Sequence, residues 1–376
     1  MTILTNARVV LLDEVIEGTV VLDGQRIVEF QPGRSNSPGA IDLEGDVLMP
    51  GIVDVHTDNL ERQVQPRNNA RWPSRSAMLT HDAQCAVSGV TTVLDALCLG
   101  DLGFDKDRIQ TFHDGVKDLD ALDGTGLLKS DHFLHLRCEM PADDVMELFE
   151  PVADHRLVRM VSLMDHSPGV GQYADLARYR KMRMREGVSA ERVEQRITEL
   201  QAQRAKMRDV NRQRLLARVK GSGVILASHD DRTEEEIEEN HRDGIRISEF
   251  PVSMIAAKAA RARGMMVIAG APNIVRGGSH SGNVSAAEMV RERAVDGLAS
   301  DYVPASLVEA AFACVEKAGI TLAAGVAMVS AAPAEMAGLR DRGRIAAGLR
   351  ADLVRVREFE GVPVVRQVWR TGERVI

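Results

Sequence analysis

The chain has 376 residues, of which 44% are hydrophobic, so it can bury one large core with a smaller domain beside it. A formal net charge of −8 argues against binding to nucleic acid or to a membrane surface through overall charge. The first residues lack the pattern of a signal peptide, and no uncharged apolar run approaches the roughly 20 residues of a membrane span. Four cysteines without paired spacing predict reduced thiols, so we expect a cytoplasmic protein.

The two ends of the chain have the pattern of short strands. Residues 19–22 and 27–30 are apolar and lie on either side of an Asp-Gly turn. Residues 351–356 and 362–369 have the same character. We therefore predict one β-sandwich domain formed by both chain ends, residues 1–48 and 337–376.

Between these ends, short apolar strands that finish in polar residues alternate with helical segments. The predicted strands span residues 53–56, 91–95, 133–139, 160–166, 224–229, 245–250, 265–271 and 297–301. Eight such units predict an α/β fold, a closed (β/α)8 barrel of the TIM type over residues 49–336. An open, doubly wound sheet is the alternative. The polar residues at nearly every carboxyl end of a strand favour the barrel.

The connection after the fourth predicted strand, at about residues 170–222, is longer than a normal crossover. Ser189 can cap a helix with Glu191 in its first turn, and apolar side chains recur at helical spacing from Val193 onward. This segment is either a solvated helical hairpin packed on the barrel, a lid or a subunit contact. A subunit contact there would make the protein a homo-oligomer.

The ends of the predicted strands carry candidate metal ligands. His56 and Asp58 lie two residues apart, so their side chains face the same space at the end of the first strand. Four other strand ends supply the remaining candidates, Glu139, His166, His229 and Asp301. Because the carboxyl ends of barrel strands meet at one mouth, we expect these six residues to bind two divalent ions, Mn²⁺, Mg²⁺ or Zn²⁺.

A polar cap without a metal is the alternative, but three carboxylates gathered there would repel one another or take up protons. The other histidines have simpler interpretations. We expect His81 to lie at a helix start, and His132 and His135 to be core or edge histidines with satisfied hydrogen bonds.

Two segments, 50–56 (PGIVDVH) and 343–353 (GRIAAGLRADL), resemble signature stretches of the amidohydrolase superfamily. This resemblance implies a (β/α)8 barrel, a flanking β-sandwich built from both chain ends and one or two divalent ions. Asp58 stands where the superfamily commonly has a second histidine. No lysine stands at a predicted strand end, so Glu139 is the natural replacement for the carboxylated lysine that bridges the metals in many members.

Longer segments, 56–61, 76–84, 164–169 and 270–283, resemble a family of diphosphatases of the carbon–phosphorus lyase pathway. The resemblance implies hydrolysis of a phosphorylated small molecule, a ribose 5-triphosphate, to the 5-monophosphate and pyrophosphate. This chemistry needs an activated water, cations on the phosphate oxygens and help for a polyanionic leaving group. Asp301 is the candidate general base.

Positive charge near the barrel mouth fits the same reaction. Arg276 and His280 stand in a glycine-containing loop whose backbone N–H groups can approach an oxyanion. The loop after the first strand carries four arginines, of which Arg67 is a candidate substrate ligand and ordinary surface charge is the alternative. Cleavage of a C–N bond by an amidase or deaminase is the second enzymatic hypothesis, and it would not require these arginines. A non-enzymatic scaffold is disfavoured because all six candidate ligand positions are filled.

Overall fold

The computed structural model describes residues 1–67, 70–103, 106–185, 187–279 and 282–376. Within these residues, the strands form two eight-stranded sheets. The strands of the first sheet are β1 (Thr2–Val10), β2 (Val15–Asp23), β3 (Arg26–Pro32), β4 (Ile41–Asp42), β5 (Val47–Pro50), β14 (Leu353–Phe359), β15 (Val362–Arg370) and β16 (Glu373–Arg374). Those of the second are β6 (Ile52–Thr57), β7 (Val90–Leu99), β8 (Asp131–Glu139), β9 (Val158–Met164), β10 (Ile225–His229), β11 (Ile247–Glu249), β12 (Met266–Gly270) and β13 (Gly297–Ala299).

The helices are α1 (Asn59–Val64), α2 (Ser74–Val87), α3 (Lys106–Leu122), α4 (Val145–Phe149), α5 (Leu176–Arg185), α6 (Ala190–Val219), α7 (Glu234–Arg242), α8 (Met254–Ala262), α9 (Ala271–Arg276), α10 (Ala286–Arg291), α11 (Ser306–Ala318), α12 (Leu322–Ala327) and α13 (Ala331–Met336). Two 3₁₀ turns lie at Glu150–Val152 and Gly171–Tyr173. Among the described helices, none combines the length and the apolar character needed to cross a membrane.

Both chain ends build the first sheet, as the sequence predicts. Its order is β16-β15-β14-β5-β1-β2-β3, with β4 beside β1, and the antiparallel pair β14–β5 joins the two ends of the chain. Apolar residues from both ends pack in one buried cluster, which includes Leu4, Leu48, Leu353 and Trp369. Gly51 links this sheet to the barrel. A Cβ there would lie 2.2 Å from Thr91 Oγ1, so only glycine fits.

The second sheet is the predicted barrel. Its strands run in parallel and in chain order from β6 to β13, and a parallel bridge between Thr57 and Asp301 joins the first strand to the end of the last. The eight predicted strands correspond to these eight. Alternate side chains fill the interior, among them Val53, Val55 and Met160. The fold therefore brings the carboxyl ends of eight strands to one mouth.

The long insertion consists of the second 3₁₀ turn, α5 and the 30-residue helix α6. As predicted, Ser189 caps α6, and its side chain accepts a hydrogen bond from the backbone N–H of Arg192. Val193 and Ile197 on α6 pack with Tyr179 of α5 in a small separate core. Farther along α6, Arg204 binds Asp165 at 2.6 Å, so the helix is attached to the barrel directly beside a predicted ligand, His166.

Candidate active site

A cavity of about 510 Å³ opens at the mouth of the barrel. The structure brings all six predicted ligands to its lining: His56, Asp58, Glu139, His166, His229 and Asp301. Four of them lie within a strand or directly after it, whereas His166 and Asp301 lie two residues beyond β9 and β13. The predicted gathering of these side chains is therefore present. Their binding of a cation stays a prediction.

A buried carboxylate holds two of the histidine rings. Glu249 Oε1 lies 3.1 Å from His56 Nδ1, and Glu249 Oε2 lies 3.5 Å from His229 Nδ1 and accepts a hydrogen bond of 2.5 Å from Ser162. Burial raises the pKa of Glu249, but the charges of His135 and His56 outweigh it and leave this pKa well below the ordinary value. A carboxylate at Nδ1 fixes the ring and leaves Nε2 for a cation, as is usual for metal-binding histidines.

A second group contains His166, His229 and Asp230, whose donor atoms all lie within 4.8 Å of one another. The Nδ1 atom of His166 contacts Glu139, and its Nε2 atom lies 3.7 Å from Asp230 Oδ2. Burial lowers the pKa of His166, but the charge of Glu139 raises it above the ordinary value. Asp230 has a φ of 57°, a left-handed backbone that is rare for residues other than glycine and is often found at functional sites.

Asp58 and Asp301 lie where the first and last strands meet. The backbone N–H of Asp301 donates to His56 O at 3.0 Å, and the N–H of Asp58 donates to Asp301 O at 2.9 Å. Burial and the charge of Asp58 raise the pKa of Asp301 to about 7. Arg137 Nη1 donates to Asp58 Oδ2 at 3.1 Å. Burial raises the pKa of Asp58, but the charge of Arg137 outweighs burial and leaves this pKa below the ordinary value.

These residues fit divalent cations. In the part of the chain that the structure describes, Asp58 Oδ1 and Asp230 Oδ2 are buried without a hydrogen-bond partner, which is costly unless another group binds them. Asp230 forms one group of possible metal donors with His166 and His229, and His229 forms another with His56 and Glu249. Mixed nitrogen and oxygen donors of this kind suit Mn²⁺, Mg²⁺ and Zn²⁺.

The predicted substrate residues have different positions. Arg276, at the end of α9, lines the cavity with Gly278 and Ser279. His280 lies outside the described residues. Arg67 is exposed in the loop after α1 and is not part of the cavity lining.

Two of the other arginines near Arg67 form ion pairs, whereas Arg62 donates to Tyr302 O at 3.0 Å. Arg71 binds Asp114 at 2.7 Å, and Arg75 binds Asp118 at 3.1 Å. Since Arg67 is exposed and lies outside the cavity lining, the surface-charge alternative describes it better than a substrate contact does.

Other elements supply the positive charge of the cavity. Besides Arg276, its lining contains Arg108 of α3, Arg137 of β8 and Arg183 of α5. Arg137 was missed, although it stands two residues before Glu139, and the two-residue period of a strand could have indicated it. Arg108 and Arg183 lie on helices, and no local pattern marks them as cavity residues.

Glu249 and Asp230 were also missed. Glu249 ends the buried strand β11, and Asp230 directly follows β10. A carboxylate at the carboxyl end of a barrel strand is the same signal that indicated Glu139, so both residues could have been found.

The buried histidines behind the cavity correct one expectation. His81 lies in the middle of α2 and not at a helix start, because α2 begins at Ser74. It binds Asp95 at 2.6 Å and Asn59 at 3.0 Å. His132 binds Asp95 at 2.8 Å, and so has satisfied hydrogen bonds as expected.

Three solved structures share the whole fold. N-acetyl-D-glucosamine-6-phosphate deacetylase from Mycobacterium smegmatis is 16% identical with a TM-score of 0.63, and 100% of both chains is covered. 5-Methylcytosine deaminase from Klebsiella pneumoniae is 14% identical with a TM-score of 0.65, and 100% of this chain and 97% of that chain are covered. An amidohydrolase is 16% identical with a TM-score of 0.62, and 100% of this chain and 98% of that chain are covered. No protein-family model matches the chain. At these identities the three structures show that the chain shares their fold.

A relative in sequence shows the family to which the chain belongs. The chain is 40% identical over 376 residues to the α-D-ribose 1-methylphosphonate 5-triphosphate diphosphatase of Escherichia coli (strain K12), with 99% of this chain and 100% of that protein covered. The chain belongs to the family of that diphosphatase.

Proposed function

We propose that the protein hydrolyses α-D-ribose 1-methylphosphonate 5-triphosphate to the 5-phosphate and pyrophosphate, in phosphonate catabolism and with the help of divalent cations. One observation carries the proposal: four arginines line the same cavity as the metal-type donors His56, His166, His229 and Asp230. A polyphosphate needs this combination of charges, and the named activity of the relative from Escherichia coli agrees with it.

We assign the cations to the imidazole and carboxylate donors of the cavity lining. The residues that would hold them are His56, Asp58, Glu139, His166, His229, Asp230 and Asp301, with Glu249 orienting two of the rings. Bound divalent cations would supply Lewis-acid activation of water and neutralise phosphate charge.

Asp301 is the proposed proton acceptor. Water attacks the α-phosphorus, the bond from that phosphorus to the oxygen of the pyrophosphate breaks, and the proton of the water passes to the Asp301 carboxylate. Asp301 lines the cavity two residues beyond the last barrel strand, so its carboxylate is placed to accept a proton from water at the mouth. The arginines of the lining would bind the negative charge that develops on the leaving pyrophosphate.

Cleavage of a C–N bond is the second candidate, because a deacetylase and a deaminase share the fold. The experiment that separates the two hypotheses incubates metal-loaded protein with a ribose 5-triphosphate and, separately, with N-acetylglucosamine 6-phosphate and 5-methylcytosine. We expect pyrophosphate from the first and neither acetate nor ammonia from the others. Acetate or ammonia without pyrophosphate would reject the proposal.

A further inference from the structure

The insertion, which follows the fourth barrel strand β9, contributes to the cavity lining. Gln172 and Tyr173 of its first turn and Arg183 of α5 belong to the cavity lining. On the other side of the mouth, α5 approaches the loop after α9, since a Cβ on Gly282 would lie 2.9 Å from Arg178 Nη1. The insertion thus forms part of the wall around any substrate bound at the mouth.

A series of ring contacts fixes Tyr173 against the proposed metal centre. Its ring centroid lies 6.0 Å from that of His166 and 5.5 Å from that of Tyr179, both with edge-to-face geometry. Tyr179 is 2% exposed within the core of the insertion, and the Arg183 guanidinium lies 5.2 Å from the centroid of its ring. The insertion therefore holds Tyr173 and Arg183 through one shared residue.

The polar end of Tyr173 is suited to an anion. A tyrosine hydroxyl is protonated at neutral pH, so it can donate a hydrogen bond. None of the hydrogen bonds among the described side chains includes this hydroxyl. The charged groups that act on it are two arginines, Arg183 and Arg108, and two of the proposed cation ligands, Asp230 and Glu139. With cations neutralising the two carboxylates, a neutral donor that shares the cavity lining with two guanidinium groups suits a phosphoryl oxygen.

We propose that the insertion supplies a phosphate clamp in which the Tyr173 hydroxyl donates to a non-bridging phosphoryl oxygen and Arg183 binds the pyrophosphate that leaves. This inference rests on the proposed function and assigns part of its specificity to the insertion. A neutral amide has no negative charge for Arg183 to bind. The barrel wall would bind cations, and the insertion would bind the polyphosphate.

The chain offers matched controls for both residues. Thr198→Val removes an exposed hydroxyl of α6, which donates to Glu194 O and lies outside the cavity lining. Arg180→Gln removes a guanidinium of the same helix that is paired with Glu194 and lies outside the lining. The wild type, Tyr173→Phe, Arg183→Gln and the two controls are loaded with Mn²⁺, titrated with inorganic pyrophosphate by calorimetry and assayed with a ribose 5-triphosphate. Thermal unfolding establishes that each variant is folded.

We expect Tyr173→Phe and Arg183→Gln to weaken pyrophosphate binding about tenfold and to lower kcat/KM about 10- to 100-fold, the usual cost of losing a hydrogen bond to a charged group. Thr198→Val and Arg180→Gln should leave both quantities within about twofold. The clamp would be overturned by pyrophosphate binding that is unchanged in Tyr173→Phe, equally reduced in Thr198→Val, or absent from the wild type. A wild type that binds pyrophosphate but hydrolyses no triphosphate would reject the proposed function and leave the binding comparison as the test of the clamp.

Discussion

Replacing Glu249 by Gln should loosen the proposed metal centre while keeping the size of the side chain. Glu249 is completely buried, and its two oxygens contact His56 and His229 at 3.1 and 3.5 Å. The glutamine keeps one acceptor and replaces the other with an amide NH₂. At least one of the two rings then loses its carboxylate partner and is free to turn Nε2 away from the cation.

The expected cost follows from that loss. Removing a carboxylate that orients a metal-binding histidine costs about 10- to 100-fold in metal affinity, or about 1.4 to 2.7 kcal/mol. We therefore expect the dissociation constant for Mn²⁺ to rise by one to two orders of magnitude. Competition against a fluorescent chelator measures this constant without relying on turnover.

Asp231→Asn is the matched control. Asp231 is also a buried carboxylate held by hydroxyl groups, at 2.5 Å from Ser228 and from Ser248, but it pairs with none of the described histidines. Its replacement should lower the melting temperature and leave Mn²⁺ affinity unchanged. Equal affinities in the wild type and in folded Glu249→Gln would refute the orienting role of Glu249.

Three further predictions concern the chemistry. Asp301→Asn should lower kcat by a factor on the order of a hundred or more if Asp301 accepts the proton, and metal content measured on the same sample must be unchanged for that conclusion to hold. Arg276→Ala should lower kcat/KM for the triphosphate about tenfold at full metal content. Arg75→Ala is the control, because Arg75 pairs with Asp118 outside the cavity lining, and it should leave kcat/KM unchanged. Equal kcat/KM values for the two variants would show that Arg276 does not contact the substrate. Because Asp301 has a pKa of about 7 in the metal-free chain, it is mostly protonated below that pH, so metal loading should release more protons at about pH 6 than at about pH 8. Calorimetry in two buffers of different ionisation enthalpy measures the release, and equal release at both pH values would contradict this assignment.

The barrel could be predicted because each strand carries its own local signal. Segments such as Phe133–Glu139 are apolar and end in a polar residue, and eight of them alternate with helices. The gathering of His56, Glu139 and Asp301 then follows from barrel geometry alone. Pairing between β5 and β14 also agrees with the expected single domain from both ends of the chain.

The cationic part of the site could not be predicted in the same way. The Arg67 loop has a dense run of arginines, but its neighbours pair with acidic residues of α3, which no local pattern encodes. Arg108 and Arg183 reach the cavity only through the packing of α3 and the insertion. Long-range placement of flexible cationic side chains depends on tertiary contacts, and these have no periodic signature in the sequence.

The position of the attacked phosphorus tests the central claim most directly. A ribose 5-triphosphate is hydrolysed by the metal-loaded protein in ¹⁸O water, and the products are analysed by ³¹P NMR. Attack of water at the α-phosphorus predicts the label in the ribose 5-monophosphate and unlabelled pyrophosphate. Label in pyrophosphate or in orthophosphate would contradict the account, because it would place the attack at another phosphorus and the ribose farther from Asp301.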